Sequence, residues 1–273
     1  MARFLEIRDG GLTAQIAPYN GGMVTRLTVG GADVLHFDAD KAELAPVSSG
    51  GAPVMFPFCG KIKDDAYMID GREYYMPMLG LVKNAAFAVK GATENSVTLW
   101  CDNSASQKAA HYPFDFLLEL EYTVAGDSLF ATARVTNKSE RPMPHYMGWH
   151  PYFKATDKAA LKFEHHMTKH YDCANGRDNP AITKLDLSKP WDDVFHTPAR
   201  KEFTLYNKPD GYRARCVLDD AHNVIVVYTG AEGAVCLEAW CGLPDSVNIG
   251  RFVKYALPGE TERYSLRLEV EKI

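Results

Sequence analysis

The stretch FDFLLELEYTVAGDSLFATARVTN, residues 114–137, leaves few choices of fold. Its second arm alternates apolar and polar residues, and AGD at its centre is turn chemistry, so the spacing predicts a long β-hairpin. The same pattern recurs elsewhere. LTAQIAPYNGGMVTRLTVGGADVLHF, residues 12–37, reads as strand, turn, strand, turn, strand, with glycine pairs at both turns. NVIVVYTG, AVCLEAW and RYSLRLEVEKI behave as further strands. Sustained helical periodicity is missing; DADKAELAPV allows one or two turns before Pro46. The pattern therefore predicts an all-β protein, a large antiparallel β-sandwich with few short helices. No stretch reads as a linker, a low-complexity tract or a repeat. Residues 1–273 are expected to form a single domain, since all-β units of roughly 200–250 residues are ordinary. The polar, irregular region from Thr156 to Pro198 is expected to be a long excursion from that scaffold.

Composition removes several function classes. Hydrophobic residues at 46% and charged residues at 24% describe a globular chain. A formal net charge of -5 with intermixed signs leaves no basic face for nucleic acid. No apolar run approaches the roughly 20 residues that span a bilayer, so no membrane partner is expected. MARFLEIRDGGLTAQI carries acids where a signal peptide needs an unbroken apolar stretch, which predicts a cytoplasmic location. The six cysteines show no CxxC spacing and are expected to be reduced thiols, several of them buried in strands.

Two residues stand out as carriers of chemistry. His150, in HYMGWHPYF, ends an apolar strand, and Pro151 interrupts ladder pairing after it. Alternation puts His150 on one face with Gly148 and Tyr146, and His145 on the other. Gly148 removes a side chain from the His150 face, which predicts room beside the ring. The residue type alone fits a satisfied core histidine equally well. Glu238, in AVCLEAWCGLPDSVN, is a carboxylate inside an apolar strand, costly to bury without a reason. That reason is either a structural ion pair or a base held in a pocket.

Taken together, these segments resemble the aldose 1-epimerase (galactose mutarotase-like) family. PMPHYMGWHPYF is similar to its G-x-HPYF signature, and CLEAWCGLPDSVN with LPGETERYSLRLEV to its glutamate strand and closing strands. GGAPVMFPFCGKI resembles its early aromatic loop, and YPFDFLLELEYTVAGDSLFATARVTN the hairpin before the histidine. The likeness runs in order from about Gly21 to the C-terminus, and within the family it is nearest to the bacterial LacX-like or aldose-epimerase-related branch. It implies a β-supersandwich whose concave face holds a monosaccharide. It also implies roles: Glu238 as the general base that takes the proton of the anomeric hydroxyl, and His150 as the acid that protonates the ring oxygen.

Such a reaction only moves protons, so no metal and no cofactor are expected. A nearby Glu238 carboxylate is expected to raise His150 from the usual value of about 6.5. The resemblance further matches Asp192, in PWDDVF, to an acid that accepts hydrogen bonds from sugar hydroxyls; the bare alternative is a turn cap. Trp191, Trp240, Tyr152 and Phe58 are candidates for covering the apolar face of a pyranose, with core packing as the competing reading of each.

The chain also departs from the family. Lys61 stands where an arginine is usual, which keeps charge without a bidentate fork. In MPMLGLVKNAAF, aligned with a block that normally reads His-Gly-Phe-Ala-Arg, Leu79 replaces the histidine and Lys83 the arginine. Lys61 and Lys83 are either sugar or phosphate contacts or solvated surface. The missing imidazole implies a variant sugar, or a carbohydrate-binding protein of the same fold with weak or no turnover. A glycoside-processing enzyme would need a second carboxyl about 5–10 Å from Glu238, and no motif supplies one. His166 and His170, four apart in EHHMTKHY, would share a metal only on a helix; a solvated loop is expected there. His145 is expected to pack in the core.

Overall fold

The computed structural model describes residues 4–38, 50–103 and 110–273. The DADKAELAPV segment, where helical turns are expected, lies outside the described residues from position 39 to its end. Two antiparallel sheets dominate. The smaller consists of β1 (Leu5–Asp9), β2 (Leu12–Ala17), β3 (Met23–Val29) and β4 (Ala32–Asp33) in chain order. The glycine pairs expected at its turns are where the chain reverses.

The larger sheet has 14 strands among the described residues. It begins with β5 (Val54–Met55), which pairs with β13 (Gly148–Trp149); β6 (Ala66–Ile69) with β7 (Arg72–Tyr75), and β12 (Met143–His145) with β21 (Lys254–Ala256), form two separate small ladders. From β13 it continues through β20 (Ala234–Trp240), β19 (Val224–Tyr228), β17 (Asp192–Asn207), β18 (Tyr212–Leu218) and β22 (Thr261–Lys272). It ends with β11 (Ser128–Asn137), β10 (Phe116–Ala125), β9 (Ser96–Asp102) and β8 (Ala88–Ala92). Beside this path β14 (Tyr152–Lys154) pairs with β20, and β15 (Lys162–Asp172) joins β17 to β16 (Arg177–Pro180). The expected hairpin is β10–β11, closed between Ala125 and Ser128 by the two residues Gly126 and Asp127, with φ of 61° at Gly126.

The region from Thr156 to Pro198 corrects the expectation of a long excursion. It contains β15, β16 and the start of β17, all hydrogen-bonded into the large sheet. Phe163, His165 and Met167 alternate inward along β15, and a bulge falls between His165 and Met167. A histidine in an inward position and a bulge in the register hide the period-two signal. His166 and His170 therefore sit on a strand, not on a solvated loop; His170 faces Asp193 at 2.6 Å and His166 faces Glu202 at 3.7 Å.

The core lies between the two sheets. Leu237 and Ala239 of β20 meet Trp149, Phe203 and Leu268 of the large sheet, and Val24 and Leu35 from the opposite side, around a small apolar cavity of about 40 Å³. Among the described residues helix is scarce, as expected: α1 (Ser246–Ile249) and two short 3₁₀ turns at Lys63–Asp65 and Lys158–Ala160. Among the described residues no helix is long and apolar enough to cross a membrane. The six cysteines form no disulfide, and only Cys173 is exposed.

Candidate active site

All seven residues of β20 are buried, because the strand is covered on both faces. Leu237 and Ala239 point into the core, so alternation sends Cys236, Glu238 and Trp240 to the opposite face. The antiparallel neighbour is interrupted opposite Glu238. β13 pairs Gly148 with Trp240 and Trp149 with Ala239, and β14 resumes at Tyr152 against Cys236. His150 and Pro151 fill the gap, where the His150 amide donates to the Pro53 carbonyl at 2.9 Å and the Tyr152 amide to Gly51 at 2.8 Å. Leaving the ladder at a proline brings the imidazole over the carboxyl: His150 Nε2 lies 3.3 Å from Glu238 Oε1.

Three contacts fix this pair. Trp240 Nε1 donates to Glu238 Oε2 at 2.8 Å. The Tyr152 ring stacks on the imidazole at 4.8 Å and 14°. Gly148 and Gly60 hold the indole between them. A Cβ on Gly148 would stand 2.8 Å from Trp240 Cδ1, and one on Gly60, whose φ is already 73°, 2.6 Å from Trp240 Cη2. The room predicted beside Gly148 is therefore filled by Trp240.

Burial sets the electrostatics. It holds the Glu238 carboxyl well above the usual carboxylate range; the Trp240 hydrogen bond opposes this and the Asp192 charge adds to it. Burial also pushes His150 down, to about 4. This corrects the expectation that Glu238 would raise its neighbour: burial of the imidazole sets the direction, and a carboxyl that burial biases towards its neutral form does not offset it. Both directions favour the same arrangement, a shared proton on Glu238 beside a neutral imidazole. His150 Nδ1 has no hydrogen-bond partner.

The other sequence-derived candidates divide. Asp192 pairs with Tyr228, and Tyr228 with Cys236, which places the Asp192 side chain on the Glu238 face. Asp193 points the other way, to His170. The Asp192 side chain is exposed, and partial burial together with Asp193 raises its carboxyl. Tyr152 is half-buried against His150. Phe58 departs from its expectation: fully buried, it stacks on Tyr146 at 4.9 Å and meets Tyr67 and Tyr112 edge-on, so its ring belongs to the core. Trp191 is half-buried, with its Nε1 donating to the Asp186 carbonyl at 2.7 Å. Lys61 is exposed, and Lys83 turns its ammonium onto the Met78 carbonyl. Leu79 is buried with φ of 65°, and its amide donates to Gly60, in the loop that cradles Trp240. The sequence reading missed Cys236 and Gly60. Cys236 was detectable as the residue two before Glu238 on one strand; nothing local to Gly60 points to a distant indole.

The all-β sandwich is that of the galactose mutarotase-like class. A galactose mutarotase-like protein from Clostridium acetobutylicum superposes with a TM-score of 0.84 at 18% identity, covering 98% of this chain and 95% of that one. The Slr1438 protein of Synechocystis gives 0.89 at 23% identity, over 99% and 96% of the two chains. The aldose 1-epimerase family model matches residues 3–269, and the chain belongs to that family. Among curated relatives, the chromosomal LacX protein of Lactococcus lactis is 26% identical over 257 residues, 81% of this chain and 86% of that protein.

Proposed function

We propose that this protein is an aldose 1-epimerase-like isomerase that interconverts the α and β anomers of a monosaccharide, an aldose or a modified aldose. The observation that carries the reading is the 3.3 Å approach of His150 Nε2 to Glu238 Oε1, with Oε2 anchored by Trp240. Mutarotation needs one base at the anomeric hydroxyl and one acid at the ring oxygen, bonded to the same carbon. Moving the shared proton onto His150 makes both groups competent together. The Glu238 carboxylate accepts the hydroxyl proton, and the His150 imidazolium protonates the ring oxygen. Ring opening leaves a carboxyl and a neutral imidazole, the arrangement that burial favours. Rotation about C1–C2 and the reverse transfers close the ring as the other anomer. Asp192 and Tyr152, at the more open side of the same face, are the proposed sugar contacts.

NMR anomer exchange or polarimetry on a panel of aldoses and aldose phosphates tests this. Each positioned proton transfer contributes roughly 10²–10⁴-fold, so Glu238→Gln and His150→Asn should each remove the acceleration. Unchanged rates in either variant overturn the assignment. Sugar binding without acceleration by the unaltered protein would instead establish a carbohydrate-binding member of the fold.

A further inference from the structure

Cys236 takes no part in these proton transfers, yet its thiol shares their face. It precedes Glu238 by two residues on β20 and pairs with Tyr152, next in the chain to Pro151 and His150. One donor atom each from His150, Cys236 and Glu238 lies within 4.8 Å of the other two, and all three residues are buried. We propose that His150, Cys236 and Glu238 form a binding site for a thiophilic divalent cation of the zinc type, and that occupancy blocks the proton-transfer pair.

Geometry, charge and ligand chemistry support the site. Zinc bonds of about 2.0–2.3 Å at tetrahedral angles put neighbouring ligand atoms roughly 3.3–3.8 Å apart. The 3.3 Å between His150 and Glu238 already meets that spacing. With all three donor atoms within 4.8 Å of one another, the thiol has to close by no more than about 1 Å, within reach of a side-chain torsion. Trp240 holds Oε2 and so turns Oε1 towards the histidine, the kind of outer contact that orients a metal-binding carboxylate. Thiolate, carboxylate and dication sum to zero charge around a neutral imidazole, which suits a buried site. The thiol and the carboxyl bind in their anionic forms, so any proton they hold leaves to solvent. Thiolate and imidazole select zinc-like ions over magnesium or calcium. Three protein ligands leave a fourth position for water or a sugar hydroxyl. The ion would be an inhibitor, because it occupies both atoms that exchange protons. Inhibition rests on the mutarotase reading; binding does not.

The test uses the full chain, stripped with chelator and loaded with Co²⁺ or Zn²⁺. One equivalent of metal should remain through gel filtration, and the cobalt form should show a thiolate-to-cobalt charge-transfer band. Cys236→Ala and the closer isostere Cys236→Ser should lose that band and bind zinc roughly 100-fold more weakly or worse, since outer-contact losses alone cost 10–100-fold. Cys173→Ser, at the exposed thiol, should keep it. Metal-free turnover should persist in the Cys236 variants and no longer respond to zinc. Failure to retain stoichiometric metal, or a band that survives loss of Cys236, overturns the site. Retained metal with full turnover overturns the inhibition alone.

Discussion

His145 and His150 are both buried, and in both burial pushes the imidazole down to about 4. Their surroundings separate structure from chemistry. The Tyr264 hydroxyl donates to His145 Nε2 at 2.7 Å, and His145 Nδ1–H donates to the Met143 carbonyl at 3.3 Å, so both nitrogens of the neutral ring are used. His150 has one nitrogen without a partner and the other against a carboxyl. Alternation read from the sequence put the two rings on opposite faces; the direction of the His150 shift was not legible, because sequence does not show how completely a strand end is covered. His145 gives a stability prediction with a definite sign. Its unfolded value is about 6.5 and its folded value is lower, so between those values the unfolded chain binds a proton that the native state refuses. Stability fully present above about pH 6.5 is lost as pH falls towards 4, by about 3 kcal/mol for this residue. Urea unfolding of the protein and of His145→Phe should show a gap, in favour of the former at neutral pH, that narrows on acidification. A gap constant with pH would place the cost elsewhere.

At the scale of elements, strands with plain alternation or continuous apolar character were legible nearly residue for residue. AVCLEAW is β20 at its full extent, and AGD is the tip of β10–β11. β15 was not legible, because His165 occupies an inward position and a bulge shifts the register. The site depends on a third kind of element, the break between β13 and β14, where Pro151 ends one ladder and tertiary bonds to Pro53 and Gly51 carry the chain across. Its fit is close. At Gly148 a new Cβ would stand 3.0 Å from the Ala239 carbonyl oxygen as well as 2.8 Å from the indole, and backbone on one side leaves Trp240 to move. Gly148→Ala should cost about 1–3 kcal/mol in thermal or urea unfolding, the range for overpacking. Turnover of the folded variant should also fall, as Trp240 loses its hold on Oε2. Undiminished turnover would mean that Trp240 does not set the carboxyl.

In the whole molecule, the sandwich assigns its two faces of β20 to different tasks. The inward face closes on the smaller sheet and makes the core; the outward face carries Glu238 of the proposed proton pair. The family likeness of several ordered blocks made this architecture legible from sequence, whereas the sealing of the pair by Trp240, Tyr152 and the Gly60 loop arises from contacts between distant segments. Neighbouring residues of one strand therefore have separable effects. Leu237→Ala empties space beside an existing apolar cavity and should cost about 2–5 kcal/mol of stability. The folded fraction should keep its turnover, because the backbone that positions Glu238 is pinned by ladders to β13, β14 and β19. Glu238→Gln should do the reverse. It removes an ionisable group that burial disfavours, while the amide oxygen still accepts from Trp240, so the melting temperature should hold or rise as turnover vanishes. Melting curves and anomer-exchange rates on the two variants separate the outcomes. A folded Leu237→Ala protein without turnover, or a Glu238→Gln protein that unfolds, would show that the two faces are not independent.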